Sequence, residues 1–280
     1  MTEADLGGSA AISADRLAEI GLRYEMDGEI ATITLNRPEK RNAQTFATWA
    51  GLAAIGENLP EGIRVVVIRG EGPSFSAGLD LAMLGAPPGG DDGARTDGLT
   101  LASAATLDDA TLERRIAEAQ RGFLWLRRPE IVSIAAVQGH AIGAGFQLAL
   151  ACDMRVLADD AKLCMKEPAL GLVPDLTGTK PLVDIVGVSR AIELCLTART
   201  VDAAEAARLG LAERVVPRAE LDKAVADLAA AVLATDRGAA IATKRLLQGA
   251  PGRTLEEQAA AERREQVTRL RTLFAALGSG

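Results

Sequence analysis

Two glycine-rich turns are the places where this 280-residue chain could do chemistry. Ser76-Ala77-Gly78-Leu79-Asp80 follows the β-branched run Val65 to Ile68, and GHAIGAG at 139–145 follows the apolar run IVSIAAV at 131–137. Glycine reaches backbone conformations that turn a bare N–H inward. The second turn also runs straight into an apolar helical stretch, GFQLALA, whose N-terminal dipole favours developing negative charge. Two converging amides of this kind would make an oxyanion hole. Glycine at strand-to-helix turns equally serves packing alone, and for either turn by itself both readings stand.

Other chemistries have less to work with. Gly70-Glu71-Gly72 follows a strand as a dinucleotide fingerprint would, but Phe75 occupies the third glycine position and Pro73 intrudes before any helix. The only histidine, His140, lies between Gly139 and Ala141, which leaves Ser-His-Asp chemistry and multi-histidine metal sites too little to work with, and it reads as a turn residue near the candidate hole. Cys152, Cys164 and Cys195 are odd in number with no C-x-x-C spacing, so they read as buried small hydrophobes rather than a disulfide framework or zinc cluster. No metal is expected. The formal net charge of −7 supplies no basic stripe for a phosphate backbone, which excludes nucleic acid as a partner. The longest apolar runs are far shorter than the roughly 18–20 residues of a membrane span. The N-terminus lacks a basic start and a long apolar stretch, so a cytoplasmic protein is expected.

The elements that must position these turns follow from periodicity. Leu22, Tyr24 and Met26 alternate up to Asp27-Gly28, and EIATITLN follows, predicting a β-hairpin. Phe46, Trp49, Leu52, Ala53 and Leu59 recur at helical spacing, with Phe46 and Trp49 expected in the core. Val65 to Ile68 reads as a strand buried on both faces. Residues 86–98 are rich in Gly, Pro and Asp and read as a mobile loop. A helix is expected over about 109–127, then strands at IVSIAAV, near Met154 to Ala158 and at Leu163 to Met165. From about 176 the pattern is helical apart from LAERVV at 211–216, with Asp202 and Gly210 bracketing one helix as caps. Strands alternating with helices and followed by a helical tail predict an α/β core.

Five segments taken in order carry a resemblance: LNRPEKRNA (35–43), RVVVIRGEGPSFSAGLDL (64–81), AAVQGHAIGAGFQLALACDMRVLADDA (135–161), KEPALGLVPDLTGT (166–179) and VDAAEAARLGLAERVV (201–216). Together they resemble the enoyl-CoA hydratase/isomerase (crotonase) family. The resemblance implies an α/β fold built as a spiral of ββα units with a C-terminal helical trimerisation region. It divides the chain into a flexible leader (1–19), an acyl-CoA-binding core (20–200) and a helical region (201–280). It further implies a homotrimer or hexamer and acyl-CoA or enoyl-CoA substrates converted through a stabilised enolate. No cofactor is implied, because coenzyme A is part of the substrate.

Carried over by position, the resemblance places the oxyanion amides on Leu79 and Ala144, with Ala77, Gly78, Asp80, Gly143 and Gln147 around them. The two glutamates of the family hydratases fall on Gln147 and Glu167, and Asp175 stands where some isomerases carry a further acid. Lys40 and Arg41 fall where the family grips CoA, and Ala82 stands where relatives often have lysine. An amide cannot exchange a proton at neutral pH, so Gln147 weakens the case for two-carboxylate hydration. Isomerisation by Glu167, with Asp175 assisting, is favoured, and a non-catalytic acyl-CoA binder is the alternative. Each residue also has a plainer reading: Glu167 as a solvated charge beside Pro168, Asp80 as an N-cap, and Asp175 as the cap of a helix starting near Leu176.

Overall fold

The computed structural model describes residues 12–85 and 100–278. Nine strands and eleven α-helices run through those residues. The strands are β1 (Leu22–Asp27), β2 (Ile30–Leu35), β3 (Val65–Gly70), β4 (Val132–Val137), β5 (His140–Ile142), β6 (Met154–Ala158), β7 (Lys162–Cys164), β8 (Val201–Asp202) and β9 (Arg214–Val216). The helices are α1 (Ala14–Glu19), α2 (Phe46–Glu57), α3 (Leu101–Ala104), α4 (Asp109–Leu124), α5 (Ala144–Ala151), α6 (Thr179–Val186), α7 (Val188–Thr197), α8 (Ala203–Arg208), α9 (Leu221–Leu233), α10 (Arg237–Gly249) and α11 (Leu255–Gly278).

The opening hairpin forms as expected: β1 and β2 pair antiparallel with Asp27 opposite Ile30, leaving Gly28 and Glu29 as the turn. Every later neighbour in the main sheet is parallel, giving the order β1-β2-β3-β4-β6-β9. A second, smaller sheet has the order β5-β7-β8.

The apolar run at β3 has a specific cause. Val66 and Ile68 face one core, shared with Trp49, Leu52 and Phe123 of α2 and α4, while Val65 and Val67 face a second, shared with Leu221, Ala224 and Val225 of α9. Alternate side chains of one strand thus enter two cores, so no polar position breaks the run. α2 and α4 pack closely because Gly122 lies against the Trp49 carbonyl, where a Cβ would approach to 2.5 Å. Lys244 of α10 staples the helical region to the sheet. Its Nζ donates to the Arg128 and Ile131 carbonyls and to Asp153 Oδ2 at 2.8, 2.6 and 2.6 Å, which uses all three donors.

Several expectations need correction. The leader does not extend to residue 19: Ser13 caps α1 by accepting from the Arg16 amide, and Leu17 is buried. The boundary at 201 cuts through the sheets, because β8 pairs with β7 and β9 with β6. Asp175 caps no helix, since α6 starts at Thr179 behind Gly178. Cys152 and Cys164 are buried, but Cys195 is only half-buried. Residues 86–98 lie outside the described residues. Asp202 does cap α8, accepting from the Glu205 amide at 2.7 Å, and Gly210 follows its end at φ +75°.

Candidate active site

The two glycine turns meet. After β3 and β4 the chain continues in parallel register, with Phe75 N donating to Gln138 O (2.7 Å), Ser76 N to His140 O (2.8 Å) and Ile142 N to Ser76 O (3.0 Å). Gly78 then lies so close to the other turn that a Cβ would stand 2.5 Å from the Ile142 carbonyl and 3.6 Å from the Ala144 amide nitrogen. Its φ of +90° adds a second reason for glycine.

Both candidate amides are free of their own elements. Leu79 bridges to Gln44 on one edge: Gln44 N donates to Gly78 O and Asp80 N to Gln44 O, at 2.7 and 2.8 Å. In such a ladder the intervening N–H of Leu79 points to the opposite side. Ala144 is the first residue of α5, so its amide has no helical carbonyl to donate to.

A polar scaffold under the first turn was not foreseen from the sequence. Ser76 Oγ donates to the Asn42 carbonyl (2.8 Å) and accepts from Gln44 Nε2 (2.9 Å) and the Gly78 amide (3.1 Å), which saturates the hydroxyl. Gln44 in turn accepts from Trp49 Nε1 at 2.8 Å. Asn42 donates to the Glu71 and Ser74 carbonyls, both at 2.8 Å.

Glu167 is brought in by the second sheet. β5 and β7 pair in parallel, Gly143 N donates to Cys164 O at 2.8 Å, and the chain leaves β7 into a 3-10 turn that begins at Glu167. The carboxyl packs over Gly143 (φ +50°), where a Cβ would stand 3.1 Å from Oε1. Glu167 is 9% exposed, so the solvated-charge reading fails. Gln147 Nε2 donates to Glu167 Oε1 at 2.6 Å, while Oε2 is buried without a protein partner. Burial pushes the carboxyl above the ordinary glutamate value, the Gln147 hydrogen bond works in the opposite direction, and the nearby Asp175 charge adds to the rise. Asp175 presents surface to solvent, yet loss of hydration where it is partly enclosed raises its carboxyl as well.

These groups open onto one cavity of about 910 Å³. Lys40, Ala77, Gly78, Leu79, Asp80, Gly143, Ala144, Gln147, Glu167 and Asp175 all line it, as does Ala82. Its apolar wall includes Phe46 of α2 and Leu112 and Ile116 of α4, so Phe46, half-buried and packed against the core, also lines the cavity. Arg41 does not line it; its carbonyl accepts from the Ala77 amide at 2.8 Å and holds the first turn. The Asp80 carboxylate caps a short turn through the Ala82 amide (3.1 Å) and pairs with Arg37 at 2.9 Å. His140 lies in β5 beside Ser74, with Nδ1 3.3 Å from the hydroxyl, and is not a lining residue. Among the described residues no group of three or more His, Cys, Asp or Glu side chains is placed to hold a metal ion.

Comparison with known proteins decides the family. Residues 25–272 match the family model described as enoyl-CoA hydratase/isomerase. The chain belongs to the enoyl-CoA hydratase/isomerase family. This family member is 37% identical to the enoyl-CoA hydratase homologue EchA12 of Mycobacterium tuberculosis over 238 residues, covering 84% of the chain and 79% of the relative. It is 58% identical to an enoyl-CoA hydratase homologue of Thermobifida fusca YX solved in complex with CoA, with a TM-score of 0.89 over 96% of this chain and all of that one. The same homologue in complex with acetoacetyl-CoA aligns at a TM-score of 0.87 over 94% of this chain and 100% of that one. The crotonase fold is thus established by family model, relatives and solved structures together.

Proposed function

We propose that the protein binds acyl-CoA thioesters and moves a carbon–carbon double bond along the acyl chain, from the 3- to the 2-position, by a single-base mechanism. The observation that carries this reading is Glu167: one buried carboxyl, raised above the ordinary glutamate value, packed over Gly143 at the second turn and with an amide side chain where a second carboxylate would be needed for hydration. The Leu79 and Ala144 N–H groups accept the thioester oxygen as it gains charge. Glu167 removes a proton from C2 of a 3-enoyl thioester, the electron pair delocalises onto the oxygen as a dienolate, and the protonated Glu167 gives that proton back at C4 as the negative charge leaves the oxygen, which restores the base. Asp175 is free of any capping duty and shares the cavity, which supports a part in that return. The CoA and acetoacetyl-CoA complexes of the Thermobifida homologue support the substrate class.

The test follows 3-enoyl-CoA and 2-enoyl-CoA consumption under one condition. Isomerisation is expected to outrun hydration, and Asp175→Asn is expected to lower isomerisation about a hundred-fold, the low end for a general acid–base group. Efficient hydration by the wild type overturns the one-base reading. Binding of both esters with turnover of neither favours a non-catalytic acyl-CoA binder, the reading that Gln147 also supports.

Assembly as a trimer or a dimer of trimers belongs to the same proposal. Val267, Leu270 and Phe274 recur at helical spacing along α11 and are 46%, 42% and 63% exposed in the single chain. Sedimentation velocity is expected to give three or six times the chain mass at micromolar concentration, and a monomer there would contradict the proposal.

A further inference from the structure

We propose that Gln147 is a positioning residue that holds Glu167 Oε1 in a fixed hydrogen bond and leaves Oε2 as the atom that carries the proton; this rests on the one-base reading above. Gln147 is a polar side chain within α5, a helix buried at every residue. Its Oε1 accepts from two backbone amides, Leu176 N at 2.9 Å and Gly178 N at 3.2 Å. Two donors facing one atom admit only the oxygen there, so the NH₂ group must face Glu167. An NH₂ group cannot accept, so Glu167 Oε1 must accept in both protonation states. When the carboxyl is protonated, the proton therefore sits on Oε2, the buried oxygen without a protein partner.

The same side chain fixes distances that the reaction depends on. Ala144 and Gln147 are three residues apart on α5, so the oxyanion donor and the anchor of the base are set within one helical turn. Through Leu176 and Gly178, Gln147 also ties down the segment that follows Asp175. Gly178 makes room for this: a Cβ there would come within 2.6 Å of Gln147 Cγ. The hydrogen bond to Oε1 favours the ionised base, against burial and the Asp175 charge.

The experiment titrates the Glu167 carboxyl by carbon-13 NMR in protein labelled at glutamate, assigned with Glu167→Gln, and in parallel records the pH profile of 3-enoyl-CoA isomerisation. Gln147→Ala removes the donor, so the Glu167 midpoint and the acid limb of kcat/KM are expected to move up together. kcat is expected to fall on the order of a hundred-fold with KM little changed, as a misplaced base would give. Gln147→Glu keeps the size and the two backbone donors but sets a carboxyl oxygen against Oε1, so the pair is expected to share one proton and titrate in two coupled steps. It also carries the test should the alanine variant not fold. A Glu167 midpoint unmoved in both folded variants overturns the positioning role. A wild type that isomerises nothing refutes the one-base reading instead, and the NMR midpoint alone then decides for or against Gln147.

Discussion

Glu167→Gln is expected to abolish isomerisation, with a loss of about 10²- to 10⁴-fold, the range for removing a positioned acid–base group. The substitution keeps the acceptor for Gln147 Nε2 and the size of the side chain, so lost turnover cannot be assigned to a collapsed site. In the wild type the acid limb of kcat/KM is expected above the ordinary glutamate value of 4.5, because burial raises the carboxyl. Stability moves the other way. A carboxyl raised on folding favours the neutral form, so its contribution is complete below 4.5 and is lost as pH climbs through the raised folded value. The glutamine variant mimics the neutral form and is expected to melt higher than wild type near neutral pH, with the gap closing in acid. Wild-type turnover in the variant would remove Glu167 from the chemistry, and a gap that widens in acid would contradict its raised carboxyl.

Ala144→Pro is expected to cost about a hundred-fold or more in kcat, since losing one oxyanion donor is worth about 2.7–4 kcal/mol. Proline deletes the amide and places its ring where the thioester oxygen would rest. The backbone tolerates it better here than elsewhere in α5, because Ala144 is the first helical residue. Circular dichroism and acyl-CoA affinity separate a folded, binding-competent variant from a damaged one. A folded variant at wild-type rate would refute the assignment of this amide.

The two amides were legible early because their signal is local: glycine directly after an apolar strand and, at 143–145, directly before a buried helix. Their convergence was not, since it depends on Ser76 pairing with Ala141 across 65 residues of chain. Glu167 carries no local mark and came only from the family resemblance. Asp175 was open to a capping role because Asp before a helix usually caps it; here the Leu176 and Gly178 amides are taken by Gln147 instead, a partner about thirty residues upstream. Phe46 had the spacing of a core residue, and spacing alone does not show where a helix face that meets a core also meets a cavity. Ser76 and Gln44 were missed for a related reason: both are fully buried, yet nothing in the surrounding letters indicates which buried polar groups they satisfy.

The order of the main sheet bears on how the molecule is assembled as it is made. β2 joins β1, β3 joins β2, β4 joins β3, β6 joins β4 and β9 joins β6, so each strand adds at the edge left by an earlier one. No strand has to be inserted between two already paired, and a chain emerging from its N-terminus can extend the sheet in one direction without undoing any ladder. The active site completes on a different schedule. Leu79 is synthesised first, Ala144 second, and Glu167 and Asp175 only once β6 and β7 are out, so the hole for the oxyanion precedes the base that serves it.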